Sequence, residues 1–250
     1  MTKKIAVAGK GGTGKTTFTA LLIRQLVKEK RGAILAVDAD PNSNLNEALG
    51  INVKETIADI LDEVKGSASV PEGMSKDVFV EYRLNQVLQE TTDVDLLTMG
   101  VPQGGGCYCY PNDLMRKYLE SLRENYDFVI MDNEAGMEHL SRKVITNIDI
   151  LLVISDSSAR GVRSAGRVYD IVKSVGLKVK KIGLIITKSP EAGIDELEEE
   201  IKKTGLDLIG IIPFDEAVAQ QDLAGKPLFD LADEAKSVQA VSEIVQKLGI

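Results

Sequence analysis

Short apolar runs alternate with longer amphipathic segments along almost the whole chain. Seven runs of mostly β-branched and aliphatic residues predict strands, at Lys4–Ala8, Ala33–Val37, Asp95–Met99, Phe128–Met131, Ile150–Ile154, Ile182–Ile186 and Leu208–Ile211. Most of these runs are apolar over several consecutive positions, which is typical of strands buried on both faces of a parallel sheet.

Segments with the spacing of a helix separate the strands. They lie at Lys15–Lys30, Asn44–Leu49, Thr56–Val64, Gly161–Val175, Asp195–Lys203, Asp215–Leu223 and Glu234–Leu248, and one more helix runs from a cap at Asn112 or Asp113 to about Asn125. Asp77–Glu90 is ambiguous between strand and helix, and Gly66–Gly73 and Val101–Pro111 are predicted loops. This alternation predicts a single α/β domain over residues 1–250, with a mostly parallel sheet and helices on both faces.

Charge and composition narrow the choice of partners. The net charge is −8 and the isoelectric point is near 4.9, so the surface as a whole repels phosphate backbones and anionic lipids. We therefore expect neither a nucleic-acid nor a membrane partner. No apolar run approaches the roughly 20 residues of a membrane-spanning helix, and the first strand follows too soon for a signal peptide. We expect a cytoplasmic protein.

A glycine-rich loop from Gly9 to Thr17, called the phosphate loop below, joins the first strand to the first helix. Residues 9–16 fit the pattern G-x-x-x-x-G-K-[ST]. Glycines permit the left-handed backbone that lets successive N–H groups surround a phosphate, and the helix directs its positive end at the same anion. This predicts a P-loop NTPase that binds ATP or ADP with Mg²⁺. The predicted contacts are Gly11, Gly12, Thr13, Gly14, Lys15, Thr16 and Thr17, with Lys15 on the phosphates and Thr16 on Mg²⁺.

A second lysine makes the phosphate loop more specific. Lys10 lies in K-G-G-T-G-K-T, which resembles the deviant Walker A motif. That motif marks a class that includes nitrogenase iron proteins and the ATPases of cell division and plasmid partitioning. The resemblance implies that Lys10 is catalytic and reaches across a dimer interface to the partner's nucleotide. The active form would then be a homodimer with the nucleotides between its subunits.

Two carboxylate segments resemble the switches of the same class. The first switch, Asp38–Asn44, follows the second strand, and the resemblance implies that Asp40 positions the attacking water or a Mg²⁺-bound water. Asn44 stands where that class often has an acidic residue. The second switch, Asp132–Gly136, follows an apolar strand. There Asp132 would bind Mg²⁺ through water, and the N–H of Gly136 would approach the γ-phosphate.

The base is predicted from a missing motif. Guanine sites commonly carry N-K-x-D after a strand, whereas Ile186 is followed by Thr187-Lys188-Ser189-Pro190, which favours adenine. The segment Ile212–Asp215 resembles the loop that closes over adenine in the deviant Walker A class. The expected base contacts are Thr187, Lys188, Pro213, Phe214 and Asp215.

The chain has two cysteines, Cys107 and Cys109, in the glycine-rich cysteine segment Pro102–Cys109. Two thiolates make half of a tetrahedral site, so a two-fold axis through this segment would complete a four-sulfur site. Such a site suits Zn²⁺ if it is tetrahedral and Ni²⁺ if it is flattened toward a plane. Structural cysteines, an intramolecular disulfide and a bridged iron–sulfur cluster remain open alternatives.

Four motifs together resemble one family, the nickel-insertion accessory ATPases of carbon monoxide dehydrogenase and acetyl-CoA synthase maturation. The resemblance rests on Gly9–Thr17, Asp38–Pro41, Cys107–Cys109 and Asp132–His139, and Cys-x-Cys is the discriminating element. It implies nickel bridged between two subunits and ATP-driven delivery to the apoenzyme of either client. His139, the only histidine, could report the nucleotide state or pack at an interface. The alternatives are an electron-transfer ATPase with a bridging iron–sulfur cluster and a positioning ATPase on DNA or membrane.

Overall fold

Seven parallel strands form one sheet in a computed structural model that describes residues 2–65, 71–101, 116–120, 122, 125–134, 147–191 and 193–250. The strands are β1 Lys3–Gly9, β2 Ile34–Asp38, β3 Asp95–Thr98, β4 Phe128–Asp132, β5 Ile148–Asp156, β6 Val179–Ser189 and β7 Asp207–Pro213. Their order across the sheet is β3-β2-β4-β1-β5-β6-β7, and each neighbouring pair is parallel. All seven predicted strands are confirmed, as is the predicted parallel α/β fold.

Helices connect the strands. They are α1 Lys15–Lys28, α2 Leu45–Leu49, α3 Ile57–Lys65, α4 Lys76–Val87, α5 Ala159–Ser174, α6 Glu198–Thr204, α7 Glu216–Leu223 and α8 Lys236–Leu248, with 3₁₀ turns at Asp195–Leu197 and Leu228–Asp230. The ambiguous segment Asp77–Glu90 is helical as far as Val87, and Ser75 caps this helix by accepting from the N–H of Val78. Residues 116–120 are also helical, and the predicted start of that helix at Asn112 or Asp113 lies outside the described residues.

Several predicted boundaries are wrong by two or three residues. α1 stops at Lys28 instead of Lys30, since Lys30 takes a left-handed backbone with φ 52°. α5 starts two residues before Gly161, because the hydroxyl of Ser158 caps it by accepting from the N–H of Gly161 at 3.0 Å. β5 and β6 extend into polar residues because their parallel pairing continues from Ile148 to Asp156.

The two faces of the sheet bury separate apolar layers. In β1, Ile5 and Val7 face the layer that contains α1 and α8, whereas Ala6 and Ala8 face the layer that contains α3, α4 and α5. Successive side chains of a strand point to opposite faces, so both layers draw on every strand. The predicted helices on both faces are thereby confirmed. No helix within the described ranges is long and apolar enough to cross a bilayer.

The sheet positions its strand ends for ligand binding around β1. The chain leaves β1 toward β2 on one side, and β4 connects to β5 on the other side of β1. Ligands of open parallel sheets bind at the carboxyl ends of the strands where the connections diverge in this way. Gly9 at the end of β1 and Asp132 at the end of β4 mark that place.

Candidate functional site

The phosphate loop has the backbone that its glycines predict. Gly12 and Gly14 adopt positive φ angles of 77° and 82°, and a Cβ on Gly9 would collide with the carbonyl oxygen of Ile154. The hydroxyl of Thr13 donates to the carbonyl oxygen of Lys10 at 2.8 Å, which closes the loop on itself. The loop therefore has a defined backbone that its own hydrogen bond supports.

Lys15 is 7% exposed and lies among carboxylates. Burial lowers the pKa of Lys15, while the charges of Asp132, Asp40 and Glu134 oppose that shift. Its Nζ donates to the carbonyl oxygen of Lys10 at 3.4 Å. The ammonium is thus held inside the loop by weak contacts that an anionic phosphate group could replace.

Thr16 and Asp132 bring oxygen atoms together beside Lys15. Thr16 Oγ1 donates to Asp132 Oδ2 at 2.6 Å, and Thr19 Oγ1 lies 3.4 Å from Asp132 Oδ1. Burial raises the pKa of Asp132 to about 6, although the hydrogen bond from Thr16 and the charge of Lys15 both lower it. Hydroxyl and carboxylate oxygens are the ligands that Mg²⁺ prefers, so this pair fits a magnesium ion.

Asp38 fixes the shape of the first switch from a fully buried position. Its carboxylate accepts from the N–H of Asp40 at 3.1 Å and from the N–H of Leu45, the first residue of α2, at 3.0 Å. Burial raises the pKa of Asp38 to about 7, and the negative charges of Asp132 and Asp40 act in the same direction. Asp38 is therefore a structural anchor behind the phosphate site.

Asp40 and Asn44 are the other two predicted residues of the first switch. Asp40 Oδ1 accepts from the backbone and side-chain N–H groups of Asn42 at 2.9 and 3.1 Å. Its charge acts on Lys15, which puts it on the phosphate side of the loop. Asn44 precedes α2 and lines a polar cavity of about 650 Å³ together with Thr16. Asn44 of the first switch thus lines the same cavity as Thr16, the predicted Mg²⁺ ligand.

A cavity of about 240 Å³ lies on the other side of the phosphate loop. Apolar side chains form most of its wall, namely Phe18, Leu21, Ile212, Val218 and Ala219, and Gly14 joins it to the phosphate loop. All five residues predicted to contact the base also line it: Thr187, Lys188, Pro213, Phe214 and Asp215. Phe214 is 59% exposed at this site. Apolar walls with few polar groups are typical of pockets for planar ligands.

Asp215 uses its carboxylate to hold the base cavity together. Oδ2 accepts from the N–H and the hydroxyl of Ser237 at 2.8 and 2.7 Å, and Oδ1 accepts from the N–H of Ala217 at 3.0 Å. Burial raises the pKa of Asp215, but these hydrogen bonds outweigh it and the pKa is lowered. Asp215 therefore joins the start of α7 to the start of α8.

The structure brings two further contacts to the phosphate loop that the sequence argument missed. Thr187 Oγ1 donates to the carbonyl oxygen of Thr13, and Lys188 Nζ donates to that of Gly12. Thr19 also went unnoticed, although it follows Lys15 by one helical turn and so lies on the same face of α1. That spacing could have revealed Thr19, whereas no local pattern marks the other two contacts.

Other predicted site residues lie outside the described part of the chain. These are Gly136 of the second switch, Cys107 and Cys109 of the cysteine segment, and His139. Lys10 lies within the described residues, and its side chain is exposed in the phosphate loop. Among the described residues, no group of three or more His, Cys, Asp and Glu side chains is arranged to hold a metal ion.

Comparisons with known proteins agree with this geometry. Residues 4–228 match the model of the CobQ/CobB/MinD/ParA nucleotide-binding domain. An uncharacterized ATP-binding protein of Methanocaldococcus jannaschii is 41% identical over 98% of this chain and 97% of its own length. Carbon monoxide dehydrogenase accessory protein CooC of Rhodospirillum rubrum is 29% identical over 98% of this chain and 97% of its own length. The cell division ATPase MinD of Pyrococcus furiosus has the same fold, with a TM-score of 0.72 and 23% identity over 100% of this chain and 99% of that one.

Proposed function

We propose that this chain, which belongs to the CobQ/CobB/MinD/ParA family of nucleotide-binding domains, is an ATP-driven metallochaperone for nickel. It would bind nickel through Cys107 and Cys109 at the interface of a homodimer. It would deliver the metal to the apoenzyme of a nickel-dependent carbon monoxide dehydrogenase or acetyl-CoA synthase. The similarity to CooC and the Cys-x-Cys pair support this choice of cargo and client.

One feature of the sheet carries the proposal. β3, β2, β4 and β1 lie side by side in that order. Along the chain, β3 leads to the cysteine segment, β2 to the first switch, β4 to the second switch and β1 to the phosphate loop. Because the carboxyl ends of parallel strands meet at one edge, all four segments leave the sheet at the same edge.

Backbone hydrogen bonds join these strand ends. The N–H of Ala39 donates to the carbonyl oxygen of Asp132 at 2.9 Å, and the N–H of Met99 donates to that of Asp38 at 2.9 Å. Met99 lies just ahead of the cysteine segment. A change in either switch on ATP binding would therefore reach Met99, which precedes the cysteine segment along the chain.

The chemistry at the nucleotide follows from the described side chains. Lys15 would exchange the carbonyl oxygen of Lys10 for the β- and γ-phosphates, and Asp40 would hold the attacking water. Thr16 and Asp132 would hold Mg²⁺, which neutralises charge on the phosphates when it is bound. Lys10 would reach the nucleotide of the partner subunit, which makes hydrolysis depend on the dimer.

Metal release requires a difference between two conformations. ATP can move nickel only if it binds the closed and open dimers with different affinity. In the closed dimer, two Cys-x-Cys pairs would supply four thiolates to one nickel ion. Hydrolysis would open the dimer and separate the pairs, so nickel would lose half of its ligands next to the client.

Activation of a client tests this function. Nickel-loaded protein is mixed with nickel-free carbon monoxide dehydrogenase, and carbon monoxide oxidation is followed with and without ATP. We expect activation with ATP and little with the Asp40→Ala variant, because that variant should bind nucleotide without hydrolysing it. Equal activation without nucleotide would overturn the proposal.

A positioning ATPase is a second candidate, because MinD shares the fold. A membrane role would require an exposed apolar helix or a basic surface. In α8, Val238, Val241, Val245 and Leu248 are buried in the core, so this face is not available to a membrane. Co-sedimentation with liposomes or DNA in the presence of ATP would support this second candidate.

An electron-transfer ATPase with a bridging iron–sulfur cluster is a third candidate, since it would use the same four thiolates. Anaerobic purification distinguishes it from a nickel carrier. A brown protein with iron and acid-labile sulfide would support the cluster, and a colourless protein without iron would exclude it.

A further inference from the structure

We propose that Thr187 and Lys188, at the end of β6, are positioning residues that aim backbone N–H groups of the phosphate loop at the nucleotide. Thr187 Oγ1 donates to the carbonyl oxygen of Thr13 at 2.6 Å, and Lys188 Nζ donates to that of Gly12 at 2.9 Å. These are two consecutive carbonyl groups of the loop. The inference rests on nucleotide binding by this family and is independent of nickel.

The geometry of the peptide bond gives these contacts their effect. In a trans peptide the C=O and the following N–H point in opposite directions. Fixing the carbonyl of Gly12 therefore directs the N–H of Thr13 away from β6, and fixing the carbonyl of Thr13 does the same for the N–H of Gly14. Both N–H groups precede Lys15, whose ammonium belongs to the same phosphate site.

Thr187 is suited to this role because it cannot move easily. It is 5% exposed, its Oγ1 also lies 3.1 Å from the carbonyl oxygen of Ser155, and its backbone pairs with Asp156 of β5. The hydroxyl therefore sits at a fixed place in the sheet. A phosphate loop that is hydrogen-bonded to Thr187 is therefore anchored to the sheet.

Lys188 makes the second hydrogen bond to the phosphate loop, and its own backbone conformation is unusual. Its φ of 54° is left-handed, and its carbonyl oxygen accepts from the hydroxyl of Ser157 at 3.0 Å. A non-glycine residue rarely takes this conformation unless its surroundings require it. In this conformation the ammonium group of Lys188 reaches the phosphate loop.

The same two residues connect the phosphate loop to the base cavity. Thr187 and Lys188 line that cavity, and the N–H of Phe214 donates to the carbonyl oxygen of Ser189 at 2.9 Å. The base cavity and the phosphate loop therefore both contact the end of β6. Removing either hydrogen bond to the phosphate loop should weaken the phosphate contacts more than the base contacts.

Titration with ADP and with adenosine separates the two contributions. Thr187→Val keeps the branched shape and removes the donor, and we expect it to bind ADP about tenfold more weakly. Because Thr187 also lines the base cavity, adenosine binding should weaken too, but by much less than ADP binding. Thr187→Ser should restore ADP affinity. Lys188→Met, which alters an exposed side chain and so spares the core, should weaken ADP binding in the same selective way.

Thr98→Val is the matched control. Thr98 is 2% exposed at the end of β3, and within the described residues its hydroxyl has no hydrogen-bond partner. This control should leave both affinities unchanged. The proposal fails if Thr187→Val and Lys188→Met bind ADP as tightly as the unchanged protein, or if ADP and adenosine are weakened equally. Neither titration contains nickel, so failure here would leave the metallochaperone proposal standing.

Discussion

Thr16 Oγ1 donates a hydrogen bond of 2.6 Å to Asp132 Oδ2 and so joins the first turn of α1 to the end of β4. Both oxygens lie beside Lys15, whose pKa burial lowers and the charge of Asp132 raises. This pair is the point at which the phosphate loop and the second switch meet.

Asp132→Asn should weaken Mg²⁺ binding by about 10- to 100-fold, because it keeps an oxygen for Thr16 but removes the negative charge. The measurement is a Mg²⁺ titration of ADP affinity and of ATP hydrolysis. Asp149→Asn is the control, since Asp149 pairs with Lys180 near the opposite end of β5. Unchanged Mg²⁺ dependence in Asp132→Asn would contradict this assignment.

The nucleotide-free protein should lose stability as the pH rises, in part because of Asp38. Burial raises the pKa of Asp38 from 3.8 to about 7, so the folded state keeps a proton that the unfolded state has lost. The free energy of unfolding therefore falls between about pH 4 and pH 7 and is then flat. Urea unfolding at about pH 5 and about pH 8 should show a smaller fall for Asp38→Asn. An equal fall in both proteins would show that Asp38 titrates at its ordinary pKa.

Phe214→Ala should weaken ATP and ADP binding by about tenfold, because an aromatic ring at the base cavity is lost. Stability should hardly change, since this side chain is 59% exposed. Leu223→Ala is the control, because Leu223 at the end of α7 is 90% exposed and does not line the cavity. Calorimetric titration checks the affinities, and equal effects of the two substitutions would argue against a base site here.

Lys10→Ala should bind ADP normally but lose dimerisation on ATP. Hydrolysis should fall about 1,000-fold, the lower end of what a cation supplied by a partner contributes to phosphoryl transfer. Light scattering with and without ATP measures the dimer. Lys54→Ala, which removes another exposed lysine, should behave like the unchanged protein. An ATP-dependent Lys10→Ala dimer with full activity would place this lysine outside the mechanism.

Local patterns predicted the sheet and the phosphate loop well. The strands are short apolar runs. The glycines of the loop motif determine the backbone conformation of the loop, as the positive φ angles of Gly12 and Gly14 illustrate. The ends of elements were harder, because pairing between neighbours decides them. β5 continues to Asp156 because it pairs with Thr187 of β6, and β6 continues to Ser189 because it pairs with Pro213 of β7.

Contacts between distant residues account for what sequence reasoning missed at the site. Thr187 and Thr13 are 174 positions apart, and no spacing rule connects them. Thr187 was predicted to contact the base, and the structure gives its hydroxyl to the phosphate loop. The cap that Asp215 forms with Ala217 is local and recognisable, but its bond to Ser237 depends on how α8 packs.

The nickel content of the ATP-bound dimer tests the metallochaperone proposal most directly. Mass spectrometry of metals, combined with light scattering, counts nickel ions per chain. Four thiolates from two chains predict about one nickel per dimer, and Cys107→Ser or Cys109→Ser should abolish nickel binding while ADP binding persists. A double Cys107→Ser and Cys109→Ser variant that binds as much nickel as the unchanged protein would contradict the proposal.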